Sequence, residues 1–137
     1  MRAMLFLLAL LAASGAAAQV PIDSLAGAWI VDLRPSPEAS FTAAALVVDS
    51  VAVDGSFVAT FRGMPVQSAT ITEAWGETRF AFASFDAATT YHTTGVLRDG
   101  WLEGTTHAIG QTSFASGPLA LTYWTATRDP ATPPDSD

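Results

Sequence analysis

Gly27-Ala28-Trp29 opens the first apolar run of the chain, and Trp124-Thr125-Ala126-Thr127-Arg128 closes the last one. A closed β-barrel joins its first strand to its last, so that no sheet edge is left unpaired. An indole and a guanidinium near the seam between those two strands can stack on each other. The two ends therefore predict a barrel in which Trp29 and Arg128 lie close together.

Between these ends, apolar and polar residues alternate, and turn residues recur about every eight to twelve positions. This period of two is typical of antiparallel strands, and no segment has the apolar spacing of a helix. We predict an all-β fold, an antiparallel up-and-down β-barrel of about eight strands. The predicted strands lie near residues 26–34, 43–53, 56–62, 66–74, 78–85, 90–98, 101–109 and 119–128.

Two Asp-Gly pairs, Asp54-Gly55 and Asp99-Gly100, predict tight hairpins, because Asp and Gly tolerate the positive φ of type I′ turns. With a two-residue turn, the first hairpin places Val48 opposite Phe61. The two registers together predict an inner face that includes Leu46, Val48, Phe57, Phe61, Leu97 and Leu102. The last strand leaves two possibilities open, since Leu121 and Tyr123 favour one face whereas Trp124 and Ala126 favour the other.

The two termini differ in composition from the barrel segment, 19–128. Residues 1–18 combine Arg2, an apolar core and a small-residue end, which is typical of a signal peptide cleaved after Ala18. Residues 129–137 hold three prolines and three aspartates and predict a disordered acidic tail. The protein is therefore expected to be secreted or periplasmic, and no later segment is long and apolar enough to predict a transmembrane helix.

The charge of the chain argues against nucleic acid as a partner. The formal net charge is −7, and the six cationic residues, all arginines, are scattered singly. Nucleic-acid binding requires clustered positive charge to contact the phosphates. The chain also has no cysteine, which excludes disulfides, a lipoprotein anchor and thiolate chemistry.

Gly-x-Trp on the first strand and an Arg at the end of the last resemble the signature of the calycins, which include lipocalins and avidins. Leu25-x-Gly27-x-Trp29 is similar to the first strand of avidins. Where avidins carry the Asn and Ser that bind biotin, this chain has Val31 and Pro35, so biotin binding is not implied. The chain also resembles uncharacterised secreted bacterial proteins with lipocalin-like barrels. The resemblance implies a structural role for Trp29 and Arg128.

A barrel of eight strands is just wide enough to fill itself or to hold one small ligand. Small inward residues such as Gly95 and Gly104 suggest spare volume, whereas the inward aromatic residues are numerous enough to fill it. We therefore expect a non-enzymatic barrel that binds a small apolar ligand in its lumen, without a cofactor. The predicted ligand-binding residues are Phe57, Phe61, Phe80, Phe82, Tyr91, Thr93 and Thr106.

The alternative function is an envelope structural or protein-interaction module with a filled barrel. Trp75 and Trp101 each adjoin a glycine at a predicted turn, where an exposed indole can contact a partner protein or a sugar. Trp101 can also stack on Arg98 across its hairpin. An enzyme is not expected, because the chain has neither a nucleophile motif nor a Ser or Asp at a recognisable spacing from its histidines.

The two histidines form the only candidate metal site that the sequence suggests. A two-residue turn at Asp99-Gly100 places His92 directly opposite His107 on two neighbouring strands. Two neutral imidazoles about 5 Å apart at Cβ can share a divalent metal ion. Both side chains alternate away from the predicted inner face, and no third ligand is apparent. A solvent-exposed polar pair without a ligand is the alternative.

Overall fold

The computed structural model describes residues 19–110 and 121–131 of the chain. This part is almost entirely β-structure, with one short 3-10 helix at Ile22–Leu25. Its strands are β1 Gly27–Asp32, β2 Ala43–Val51, β3 Phe57–Phe61, β4 Met64–Pro65, β5 Gln67–Ala74, β6 Glu77–Phe85, β7 Thr89–Leu97, β8 Trp101–Gly110 and β9 Leu121–Arg128. None of the described helices is long and apolar enough to cross a membrane. The predicted signal peptide, 1–18, and most of the predicted tail, 132–137, lie outside the described residues.

The strands form one antiparallel sheet in the order β4-β3-β2-β1-β9-β8-β7-β6-β5. Strand β1 pairs with β9, with Trp29 opposite Arg128 and Asp32 opposite Thr125, so the predicted pairing of the first and last strands is confirmed. On the far side of the sheet, the turn between β2 and β3 meets β5 through one bridge and one hydrogen bond. The sheet is therefore an up-and-down barrel that is nearly closed.

The described residues contain nine strands, whereas the sequence predicted about eight. The additional strand is β4, Met64–Pro65, which precedes the predicted strand 66–74, and that predicted strand corresponds to β5. Ser68 has a φ of 51°, and the register of β5 shifts between Gln67 and Thr70. A residue in the left-handed region interrupts the extended backbone. The chain pairs with β3 at Met64 and Pro65 and with β6 from Gln67 onward, and the kink at Ser68 lies within β5.

The predicted register of the first Asp-Gly hairpin is wrong. Phe61 lies opposite Leu46 and not opposite Val48, because the connection is longer than two residues and β2 contains a bulge. Ser56 and Ala52 close the turn, where the Ala52 N–H donates to the Ser56 carbonyl over 2.8 Å. The displacement is two residues, and side chains alternate with a period of two, so the predicted inner face is unchanged.

The last strand keeps a regular register, and its two apolar faces point to opposite sides of the barrel wall. Trp124 and Ala126 point inward and are buried, whereas Leu121 and Tyr123 point outward and are more than half exposed. Trp124 points inward because its ring packs in the core, where its centroid lies 5.7 Å from that of Phe61. The outer pair remains as exposed apolar surface on the barrel wall.

One end of the barrel is closed around Trp29, whose side chain is 1% exposed. Its Nε1 donates to the carbonyl of Leu25 in the 3-10 helix over 2.9 Å. The guanidinium of Arg128 lies 3.9 Å from the centroid of the Trp29 ring and also donates to the carbonyls of Ser24 and Ala26. Arg128 thus joins the last strand to the chain that precedes the first, and burial lowers its pKa.

Replacing Trp29 by alanine should lower the free energy of unfolding by about 3–5 kcal/mol, since a fully buried indole leaves a large cavity. Trp75, which is fully exposed, provides the matched control: its replacement by alanine should change stability by less than about 0.5 kcal/mol. Chemical denaturation of both variants measures the difference. A loss below about 1 kcal/mol for Trp29→Ala would show that the indole does not close this end.

Gly104→Ala should also destabilise the barrel, because a Cβ at this position would lie 2.2 Å from the Trp124 ring. Overpacking of this kind costs about 1–3 kcal/mol. A double-mutant cycle provides the control. In a Trp124→Leu background the cost of Gly104→Ala should shrink, because the ring that it meets is gone. An equal cost in both backgrounds would show that the glycine is required for its backbone alone.

Candidate functional site

The predicted ligand-binding residues come together inside the barrel, where most of them contact one another. The ring centroids of Phe61 and Phe82 are 5.3 Å apart, and those of Phe57 and Phe82 are 6.3 Å apart with perpendicular planes. Phe80 stacks on Phe82 at 6.3 Å. Edge-to-face and stacked contacts at these distances stabilise aromatic cores. These four side chains therefore form part of the hydrophobic core.

The two inward glycines do not leave an empty space. A Cβ at Gly95 would lie 2.3 Å from the Phe80 ring, and one at Gly104 would meet Trp124. The rings of Phe80 and Trp124 thus occupy the volume that side chains at the glycines would need. The spare volume suggested by the small residues is filled by aromatic side chains from neighbouring strands.

The two inward threonines are engaged in a buried hydrogen-bond network. The hydroxyls of Thr93 and Thr106 are 2.9 Å apart, and Trp124 Nε1 donates to the Thr106 hydroxyl over 3.0 Å. Because buried polar groups are costly unless they are paired, this network fixes the indole in place. The Ser84 hydroxyl is different: it is buried and has no hydrogen-bond partner among the described residues.

Tyr91, the last of the predicted ligand residues, lies partly exposed near the end of the barrel opposite to Trp29. Its hydroxyl donates to Asp86 Oδ2 over 2.7 Å, and the Arg62 guanidinium lies 5.9 Å from its ring centroid. The pKa of Asp86 is lowered because its carboxylate accepts hydrogen bonds, first from the Ala88 N–H and then from Tyr91. The same bond raises the pKa of Tyr91. Tyr91 thus helps to order the β6–β7 turn.

Trp75 lies at the tip of the β5–β6 hairpin and is fully exposed. It has a φ of 56° and is followed by Gly76 at 75°. Positive φ at both central residues is the geometry of a type I′ turn, which favours Asn or Asp at the first position. A bulky side chain is rare there. The chain therefore carries an indole where it is conformationally unfavourable and buries no surface.

Trp101 belongs to the β7–β8 hairpin, at the same end of the barrel as Trp75, and is 37% exposed. The predicted stacking on Arg98 is not observed. Arg98 instead pairs with Glu103 over 2.8 Å and with Glu77 over 3.1 Å. The first of these interactions raises the pKa of Arg98 most. Charged partners thus hold the guanidinium away from the indole.

His92 and His107 are directly opposite each other on β7 and β8, as the second Asp-Gly turn predicted. Both side chains are exposed on the outer wall of the barrel. Among residues 19–110 and 121–131, no group of three or more His, Cys, Asp or Glu is arranged to hold a metal ion. The described chain therefore offers a pair of imidazoles without a third protein ligand.

Four apolar side chains surround the histidine pair on the outer wall, of which the sequence pattern indicated only the two on β9. They are Phe85, Ile109, Leu121 and Tyr123, each at least 44% exposed. In the sequence, the second apolar face of the last strand, formed by Leu121 and Tyr123, was the pattern that indicated this exposed apolar surface. Nearby, a depression of about 520 Å³ lies over the glycine pair and is lined by Thr72, Thr94, Thr105 and Tyr123, among others. The exposed apolar surface thus lies on the outside of the barrel.

No family model, curated protein or solved structure matches the chain.

Proposed function

We propose that the protein is a secreted or periplasmic, non-enzymatic binding module with a filled barrel that recognises a protein partner through Trp75. One observation carries this proposal: the barrel packs its own aromatic side chains inside, yet leaves one indole fully exposed at a hairpin tip. From the sequence, a small apolar ligand in the lumen was the first expectation. The packing of Phe80 and Trp124 over the inward glycines favours the interaction module instead.

The chemistry of Trp75 supports recognition of a protein. An exposed tryptophan adds nothing to the hydrophobic core, and a positive φ costs conformational energy at a bulky residue. Tryptophan is, however, among the residues most enriched at the energetic centres of protein interfaces. A rigid hairpin that presents an indole loses little conformational entropy on binding, which increases affinity.

We also propose that the barrel is related to the calycins. The position of Arg128 above Trp29 and the pairing of β1 with β9 support this relationship. The relationship concerns the architecture of the closed end, and the proposed partner binding does not depend on it.

A small apolar ligand in the lumen remains the second candidate function, and the Ser84 hydroxyl is the observation that favours it. This buried hydroxyl has no partner among the described residues. An unpaired buried hydroxyl is costly, and a bound ligand with an acceptor oxygen would pair it.

Trp75→Asn should separate recognition from stability. Asparagine tolerates positive φ, so the free energy of unfolding should rise by about 1 kcal/mol. Binding to a partner isolated from the extracellular or periplasmic fraction and then purified should weaken by about tenfold or more. Denaturation and calorimetric titration measure the two effects.

Val53→Asn is the matched control, because Val53 is equally exposed in the β2–β3 turn, and partner affinity should not change. If Trp75→Asn binds the partner as tightly as the wild-type chain, the indole is not the recognition element.

Ser84→Ala tests the second candidate. In a filled barrel, removal of an unpaired buried hydroxyl should leave the free energy of unfolding unchanged or raise it by up to about 1 kcal/mol. Titration of the wild-type chain with 1-anilinonaphthalene-8-sulfonate, a dye that fluoresces in apolar surroundings, should then show no saturable site. Saturable fluorescence that weakens in Ser84→Ala would instead support a ligand in the lumen.

A further inference from the structure

We infer that His92 and His107 together bind one divalent transition-metal ion, zinc or copper, on the outer wall of the barrel. The pairing of the two residues across β7 and β8 is the basis of this inference. Directly opposed residues in an antiparallel sheet have Cβ atoms about 4.5–5.5 Å apart, and both side chains point to the same face. Two imidazole nitrogens can then approach one ion at the usual bond length of about 2.0–2.1 Å.

The strand framework holds the two imidazoles before any ion arrives. Strand β7 is paired with β6 on one side and with β8 on the other, and β8 is paired with β9. The Asp99-Gly100 turn fixes the register of the β7–β8 hairpin without a bulge. A bound ion therefore has to order only the two side chains, which keeps the entropic cost of chelation small.

The described residues that adjoin the pair in the sheet are uncharged. Ala83 lies beside His92 on β6, and Leu121 lies beside His107 on β9. The adjoining row toward the hairpin holds Thr94 opposite Thr105. None of these paired neighbours in the described part of the chain carries a carboxylate or a guanidinium. The net charge of −7 attracts cations to the protein as a whole.

The donor set indicates the class of metal and the character of the site. Imidazole nitrogens suit zinc, copper and nickel, whereas magnesium and calcium require oxygen ligands. Zinc in proteins usually has four ligands, so two histidines leave at least two coordination positions open. The site is therefore an open surface chelate, in which water or another small donor completes the shell.

Isothermal titration calorimetry of the tag-free chain with zinc chloride tests the inference. The wild-type chain should bind one zinc ion, and either His92→Ala or His107→Ala should weaken binding by about tenfold or more, because a single imidazole cannot chelate. Nuclear magnetic resonance should show that zinc shifts the side-chain nitrogens of both histidines at the same ion concentration. Absence of a saturable site, or equal affinity in either alanine variant, would overturn the inference.

Two variants that exchange histidines with threonines keep the composition of the chain unchanged. They test whether zinc binding depends on the register of the two histidines. His92→Thr with Thr72→His keeps two histidines on the wall but separates them by three strand spacings and by four residues along the strands, about 20 Å in all, and should bind like a single histidine. Exchanging both histidines with their threonine neighbours, by His92→Thr, Thr94→His, His107→Thr and Thr105→His, moves the pair by one row. This variant should retain zinc binding, and loss of binding would overturn a site made by the opposed pair alone.

Discussion

The stacking of the Arg128 guanidinium on the Trp29 indole is the contact on which the closed end of the barrel depends. The cation lies 3.9 Å from the ring centroid and is partly buried, which lowers its pKa. Its hydrogen bonds to the carbonyls of Ser24 and Ala26 compensate for the lost water. Because these carbonyls precede β1 and Arg128 ends β9, one side chain connects the beginning and end of the sheet.

In a closed sheet, the inward side chains must fit within a limited volume. Here two glycines on the inner wall leave room for two large aromatic rings. Gly95 and Gly104 lie opposite each other, and Phe80 and Trp124 fill the space above them. Trp124 is also held by Thr106, which pairs with Thr93. The space above the glycine pair is therefore occupied, and the exposed aromatic and histidine side chains lie on the outer wall and at the hairpin tips.

Local pattern was sufficient to predict the pairing of β1 with β9, the register of the second hairpin and the opposition of His92 and His107. These features depend on strand alternation and on one standard turn. The register of the first hairpin was not predictable, because a longer turn and a bulge in β2 carry no strong sequence signal. The occupant of the space above Gly104 was not predictable either, because Trp124 reaches it from another strand. Exposure of Trp75 was anticipated from its turn, but its strained φ was not.

The division of β4 from β5 affects how the protein avoids aggregation. The sheet is least continuous between β3 and β5, where one bridge and the hydrogen bond from the Ile71 N–H to the Gly55 carbonyl close it. If this seam opened, the free edges would be templates for other chains. Strand β4 is only two residues long, includes Pro65, which has no N–H to donate, and is followed by the kink at Ser68. An opened barrel would thus offer a bent and interrupted edge on one side of the gap, a poor template for the growth of intermolecular β-sheets.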